Sequence, residues 1–120
     1  MRLVNLTPHP IHILEPPYTH NDVILTIPTS GVVVSCKRVD TYLGYVETNF
    51  GVRIDITNTK YEEPGDDLPP TKPGTLYVVS SIVAKHAVGR VELLVVNGLI
   101  RNTQGRVIGC KSLTPGTPHI

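Results

Sequence analysis

Ser80 and Ser81 stand between the apolar run TLYVV and the segment SIVAKHAV. That order reads as a strand feeding a short helix, and a serine is a favoured residue for capping a helix start. The first N–H groups of such a helix have no partner within it, and with the helix dipole they attract an anion, typically phosphate. Against this stands the plain alternative that one serine caps its own helix. Three arginines would complete an anion site: Arg90 just past the helix, and Arg101 and Arg106 on either side of the turn sequence NTQG. A guanidinium grips phosphate oxygens with two parallel donors, which an ammonium does not. Arg38 and Arg53 are further candidates on other strands. Each arginine alone also suits a strand edge, where charge discourages pairing between chains.

The stretch NLTPHPIHIL (5–14) holds two histidines three apart. Pro8 and Pro10 bias the residues before them to extended backbone, which excludes a helix. In an extended chain side chains alternate, so His9 and His12 are expected on opposite faces and do not suit a shared metal. His12, between two isoleucines, is expected to face solvent. His9 sits at a strand break beside Asn5 and Thr7, three groups able to give directional hydrogen bonds to a base or ribose. A histidine there would also serve as a general base near neutral pH, if Asp22, Asp40 or Asp55 contacted it. Glu62, Glu63, Asp66 and Asp67 lack calcium-loop spacing and read as a solvated loop. Cys36 and Cys110 form no CxxC pair and read as small buried hydrophobes, so neither a metal nor a cofactor is expected.

The elements that must hold these groups are short. Eleven prolines and ten glycines divide 120 residues, which favours strands over long helices. Strands are expected at 2–6, 11–14, VILTIP and the β-branched run at 30–39. A hairpin is expected from TYLGYVE and VRIDIT around TNFG. In VRIDIT, Val52, Ile54 and Ile56 alternate with Arg53 and Asp55, the period of a half-buried strand. Residues 57–74 carry no period and read as a long Pro-rich loop, a lid, a contact arm or a solvated connection. Within 74–96 the pattern gives strand TLYVV, a two-turn helix over SIVAKHAV, Gly89 as its C-terminal cap, and strand RVELLVV. Asn97-Gly98 suits a type I′ turn and NTQG a second, so a three-stranded meander is expected at the C-terminal end. The fold class that results is mainly β with one short helix (α+β), as a compact, mostly antiparallel sheet or partly open barrel. A single domain spanning 1–120 is expected.

Composition narrows the functional classes. A hydrophobic fraction of 40% with 18% charged residues describes a globular chain, and a net charge of +1 argues against general nucleic-acid binding. No run is long enough to span a membrane, no signal segment is recognised, and a cytoplasmic location is expected. No GxSxG or paired-carboxylate pattern points to catalysis.

LVNLTPHPI, SGVVVSCKRV and PGTLYVVSSIVA, with LIRNTQGRVIGCKSL near the C-terminus, resemble a family of small phage, prophage and bacterial proteins of unsettled function. The resemblance implies a mobile-element setting, in the host cytoplasm if phage-encoded. By analogy of size and setting it suggests the viral sponges that sequester nucleotide signals of host defence. Together these readings lead to the expectation of a non-enzymatic homo-oligomer that sequesters a small phosphate-bearing ligand, such as a cyclic nucleotide immune signal. Its site would be Asn5, Thr7, His9, Ser80, Ser81, Arg90, Arg101 and Arg106. The alternatives are a nucleotide phosphodiesterase or hydrolase using His9, and a structural or protein-binding phage module.

Overall fold

A computed structural model describes residues 1–116. The chain is mostly β with a single short helix: Arg2–Asn5 (β1), Ile11–Leu14 (β2), Val23–Ile27 (β3), Arg38–Glu47 (β4), Arg53–Tyr61 (β5), Thr75–Val78 (β6), Ser81–His86 (α1), Leu93–Arg101 (β7) and Val107–Pro115 (β8). Six strands form one mixed sheet in the order β1-β6-β7-β8-β2-β3, and β4 and β5 form a separate two-stranded ribbon. Pairing is mostly antiparallel, with parallel contacts of β6 to β1 and β7, and of β2 to β8. The sheet is not closed into a barrel, although its edges meet at one bridge between Asn5 and Thr29. Among the described residues no helix is long and apolar enough to cross a membrane.

Strand alternation gives the six-stranded sheet two apolar sides. Val4, Leu6, Tyr77, Val79, Leu93 and Val95 belong to one core, roofed by Val83, Ala84 and Ala87 of the helix region and by Val34. Their neighbour Val78 is fully buried in a second core with Ile11, Ile27 and Cys110. Consecutive residues of β6 thus point to opposite faces, as a pleated strand requires. Neither core draws a residue from 38–61.

Several elements differ from the sequence expectation. The run at 30–39 is no strand before Arg38; residues 32–37 form a strap, held by the Val34 N–H to the Leu6 carbonyl at 3.0 Å, that lays Val34 and Cys36 on the first core. The long loop is shorter than 57–74, because Thr57 to Tyr61 continue β5 against β4. Thr59 donates to Asp40 across that ladder at 2.7 Å, and β-branched residues suit the pleat.

Asn97-Gly98 makes no turn. Both lie inside β7, where Asn97 Nδ2 donates to Ser112 Oγ at 3.1 Å and Gly98 alone takes a positive φ. A type I′ turn needs two consecutive residues with positive φ, so the chain does not reverse there. The C-terminal end is one hairpin, β7–β8, which turns at NTQG. The helix ends at His86 with Ala87 as its cap, its N–H bonded to the Val83 carbonyl, and Gly89 takes its positive φ two residues later. β7 starts at Leu93, three residues later than RVELLVV suggests.

Candidate ligand-binding site

Ser80 is the helix cap. Its hydroxyl accepts the Val83 N–H at 3.3 Å, and the helix it starts has six residues. Ser81 is the first helical residue and is exposed.

Arg90 is a strut. Its guanidinium donates to Glu92 and to the Pro69 carbonyl, and Glu92 also accepts from Thr71 Oγ1 at 3.0 Å. Tyr77 adds a hydroxyl bond to the Pro70 carbonyl at 3.1 Å. These bonds, with Leu68 packed on the first core, fasten the proline-rich segment to the sheet. Burial alone would raise the Glu92 pKa, but its own backbone N–H, Arg90 and Thr71 outweigh that and hold it below the ordinary glutamate value. Tyr61 ends β5, and its ring centroid lies 5.8 Å from that of His86.

Asn5 is buried with every polar atom engaged. Its Nδ2 donates to the His9 carbonyl at 2.9 Å and to the Ile27 carbonyl at 3.2 Å. Its Oδ1 accepts from the Thr7 N–H at 2.9 Å and the Thr7 hydroxyl at 2.6 Å. This amide clips the β1–β2 connection to the end of β3, so Asn5 and Thr7 have no donors left for a ligand. His9 lies in the bend that they shape. The backbone from Thr7 to His9 is not extended, so alternation does not carry through, and His9 and His12 line the same hollow. That hollow, about 370 Å³, has apolar walls including Ile11, Val96 and Leu99. His12 Nδ1 is 2.9 Å from Thr26 Oγ1. Cys110 also lines the hollow, and burial pushes its thiol pKa up, which keeps it protonated at neutral pH. The carboxylates a catalytic His9 would need are engaged elsewhere or lie on the ribbon: Asp22 with Thr19, Asp40 with Arg38 and Thr59, and Asp55 opposite Tyr45.

Arg101 and Arg106 flank the β7–β8 turn. Asn102 organises it: its Oδ1 accepts the N–H groups of Gln104 at 2.9 Å and Arg106 at 3.0 Å. Arg101 Nη1 donates to the Gly105 carbonyl at 2.9 Å. That is one of five guanidinium donors, and it is the only hydrogen bond of this side chain among the described residues. Arg101 lines a hollow of about 340 Å³ with Tyr18, Thr19, His20, Asn102, Thr103 and Ile108. Its far wall is the β2–β3 loop. Glu15 to Tyr18 form a tight turn around a cis Pro16-Pro17 bond, and Tyr18 then takes φ +66°. A tyrosine seldom adopts that left-handed backbone, and such outliers cluster at functional sites. Asp22 Oδ2 accepts both the N–H and the hydroxyl of Thr19, at 2.6 and 2.7 Å, which holds the Asp22 pKa low and fixes the loop. The Lys111 ammonium sits 4.7 Å from the centre of the Tyr18 ring and adds positive charge beside the hollow.

The eight residues singled out in the sequence therefore do not meet in one place. Arg90 and Arg101 flank opposite ends of β7, whose nine residues span about 27 Å. His9, Arg90 and Arg101 line three different hollows. Sequence reasoning passed over Tyr18, Thr19 and His20 as a site because YTHND reads as a connecting loop. The available signal was the crowding of aromatic, hydroxyl and imidazole groups directly after two prolines.

No family model matches this chain, and neither the curated proteins nor the solved structures contain a match.

Proposed function

We propose that this chain is a non-catalytic binding protein for a small phosphate-bearing ligand with a planar ring, taken up between the β2–β3 loop and the β7–β8 turn. The observation that carries the reading is the shared hollow of Arg101, Tyr18 and His20. Its volume falls within the range of small-molecule sites. Arg101 supplies donors to a phosphate, Tyr18 offers a face to a base, and His20 and Thr103 offer polar groups at the rim. A cyclic nucleotide has this combination of ring and charge. Sequestering such a signal in a phage or prophage setting requires affinity alone. Asn5, Thr7, Ser80 and Arg90 contribute by holding the scaffold, since their bonds are spent within the chain.

Isothermal titration and native mass spectrometry with a panel of cyclic di- and trinucleotides test this. One ligand binds and is recovered chemically unchanged, and Arg101→Ala weakens it by about tenfold or more, the loss expected for a charge-assisted phosphate contact. Ser80→Ala leaves the affinity unchanged. Recovery of a cleaved product would make the protein an enzyme. Absence of binding across the panel, or an Arg101→Ala variant that binds normally, would remove this site.

A further inference from the structure

The β4–β5 ribbon contributes no residue to the Arg101 hollow, and its two faces are chemically unlike. Arg38, Asp40, Tyr42, Tyr45 and Glu47 sit opposite Tyr61, Thr59, Thr57, Asp55 and Arg53 in the antiparallel register, so they share a face. The other face carries Val46, Ile54 and Ile56 at the turn end, with Val52 following in alternation, and Val39, Thr41, Asn58 and Lys60 toward the far end. Val52, Ile54 and Ile56 are 60%, 51% and 42% exposed. Among the described residues, neither long edge of the ribbon pairs with another strand. A lone two-stranded ribbon is marginal in water, and an open edge beside an apolar face invites another strand.

We propose that the free edge of β5 pairs antiparallel with β5 of a second copy of this chain, about a two-fold axis at Ile54. This does not depend on the ligand reading. The charge pattern selects the occupant and the register. With the axis at Ile54, Arg53 faces Asp55 of the second copy and Asp55 faces its Arg53. On the other face Ile54 meets Ile54, and Val52 meets Ile56. Neither Arg53 nor Asp55 has an ion-pair partner within the described residues. An axis at Arg53 or at Asp55 sets like charges opposite each other, which destabilises a strand pair. A slip of one residue puts charged groups against isoleucines, because the side-chain period is two. An axis at Ile56 sets Val52 against Lys60. Of these registers, only the one at Ile54 satisfies both faces, and its self-complementarity is that of an isologous dimer.

Sedimentation equilibrium of the full chain, over about a hundredfold concentration range, tests the pairing through mass action. Wild type populates a dimer. Arg53→Asp and Asp55→Arg each raise the dimer Kd by about tenfold or more, since each sets two like-charge pairs across the axis. Mixing the two variants restores association as a heterodimer, because one chain then presents carboxylates at both positions and the other presents guanidinium groups at both. Mere damage to the ribbon by either substitution is not rescued by mixing. A monomeric wild type, single variants that still dimerise, or a mixture that stays monomeric would each overturn the proposal.

Discussion

Arg90 and Glu92 show how a residue type that suits ligand chemistry becomes structural through its neighbours. They stand two apart across the turn that leads into β7, and close an ion pair that also gathers the Pro69 carbonyl and Thr71. That spacing was readable in the sequence; the long-range partners on the proline-rich segment were not. The pair makes a pH prediction. Because the folded pKa of Glu92 lies below its ordinary value of 4.5, the carboxylate is favoured in the folded state. Its stabilisation is complete above 4.5 and is lost as pH falls through the lowered folded value. Glu92→Gln is expected to cost about 1–3 kcal/mol at neutral pH, because Arg90 loses a charged partner at a site with little solvent. In urea unfolding, the gap between wild type and variant narrows as pH falls below 4.5 and on through the lowered folded value, beyond which both side chains are neutral. A gap independent of pH would show that the ion pair contributes nothing beyond packing.

At the scale of elements, local chemistry was legible where one rule decided the outcome. The alternation in VRIDIT marked a strand with Arg53 and Asp55 on one face, and Ser80 marked a helix start. Prolines and glycines marked most breaks. The misreadings occurred where tertiary pairing decides. SGVVVSCKRV has strand composition, yet most of it is a strap, because its role is to roof a core and not to extend a ladder. Asn97-Gly98 has turn composition, yet β8 pairs with β7 on both sides of it. The proposed site follows the same division: Arg101 was legible as a candidate anion contact, while Tyr18, Thr19 and His20 come from a loop more than eighty positions earlier. Gly109 tests the most constrained junction, where β2 meets β8. An added Cβ there would lie 2.6 Å from the His12 carbonyl oxygen and would also strike the Leu14 side chain. Backbone cannot move aside cheaply, so Gly109→Ala is expected to destabilise the fold by about 2–3 kcal/mol in chemical denaturation. A loss below about 0.5 kcal/mol would mean that β2 does not approach β8 so closely.

The molecule divides structurally into a body and a ribbon. The radius of gyration is 18.1 Å, against about 14 Å for a compact chain of this length. Both cores are built without residues 38–61, and the Glu62 N–H bonds the Lys37 carbonyl at 2.9 Å, so the chain enters and leaves the ribbon at adjacent points. The ends are therefore placed to be joined by a short turn. Replacing 38–61 with a glycine-containing linker shortens a closed loop, a change that costs little entropy or regains some. The expected product is a folded monomer whose stability lies within about 1 kcal/mol of the parent chain at equal, dilute concentration. Its affinity at the Arg101 hollow is retained, since every residue lining that hollow lies outside the deletion. Denaturation, titration and sedimentation on one preparation read all three quantities. A chain that unfolds would show that the ribbon supports the body. A folded chain that still dimerises would place association elsewhere on the surface. A folded monomer that has lost its ligand would mean that the second copy completes the pocket.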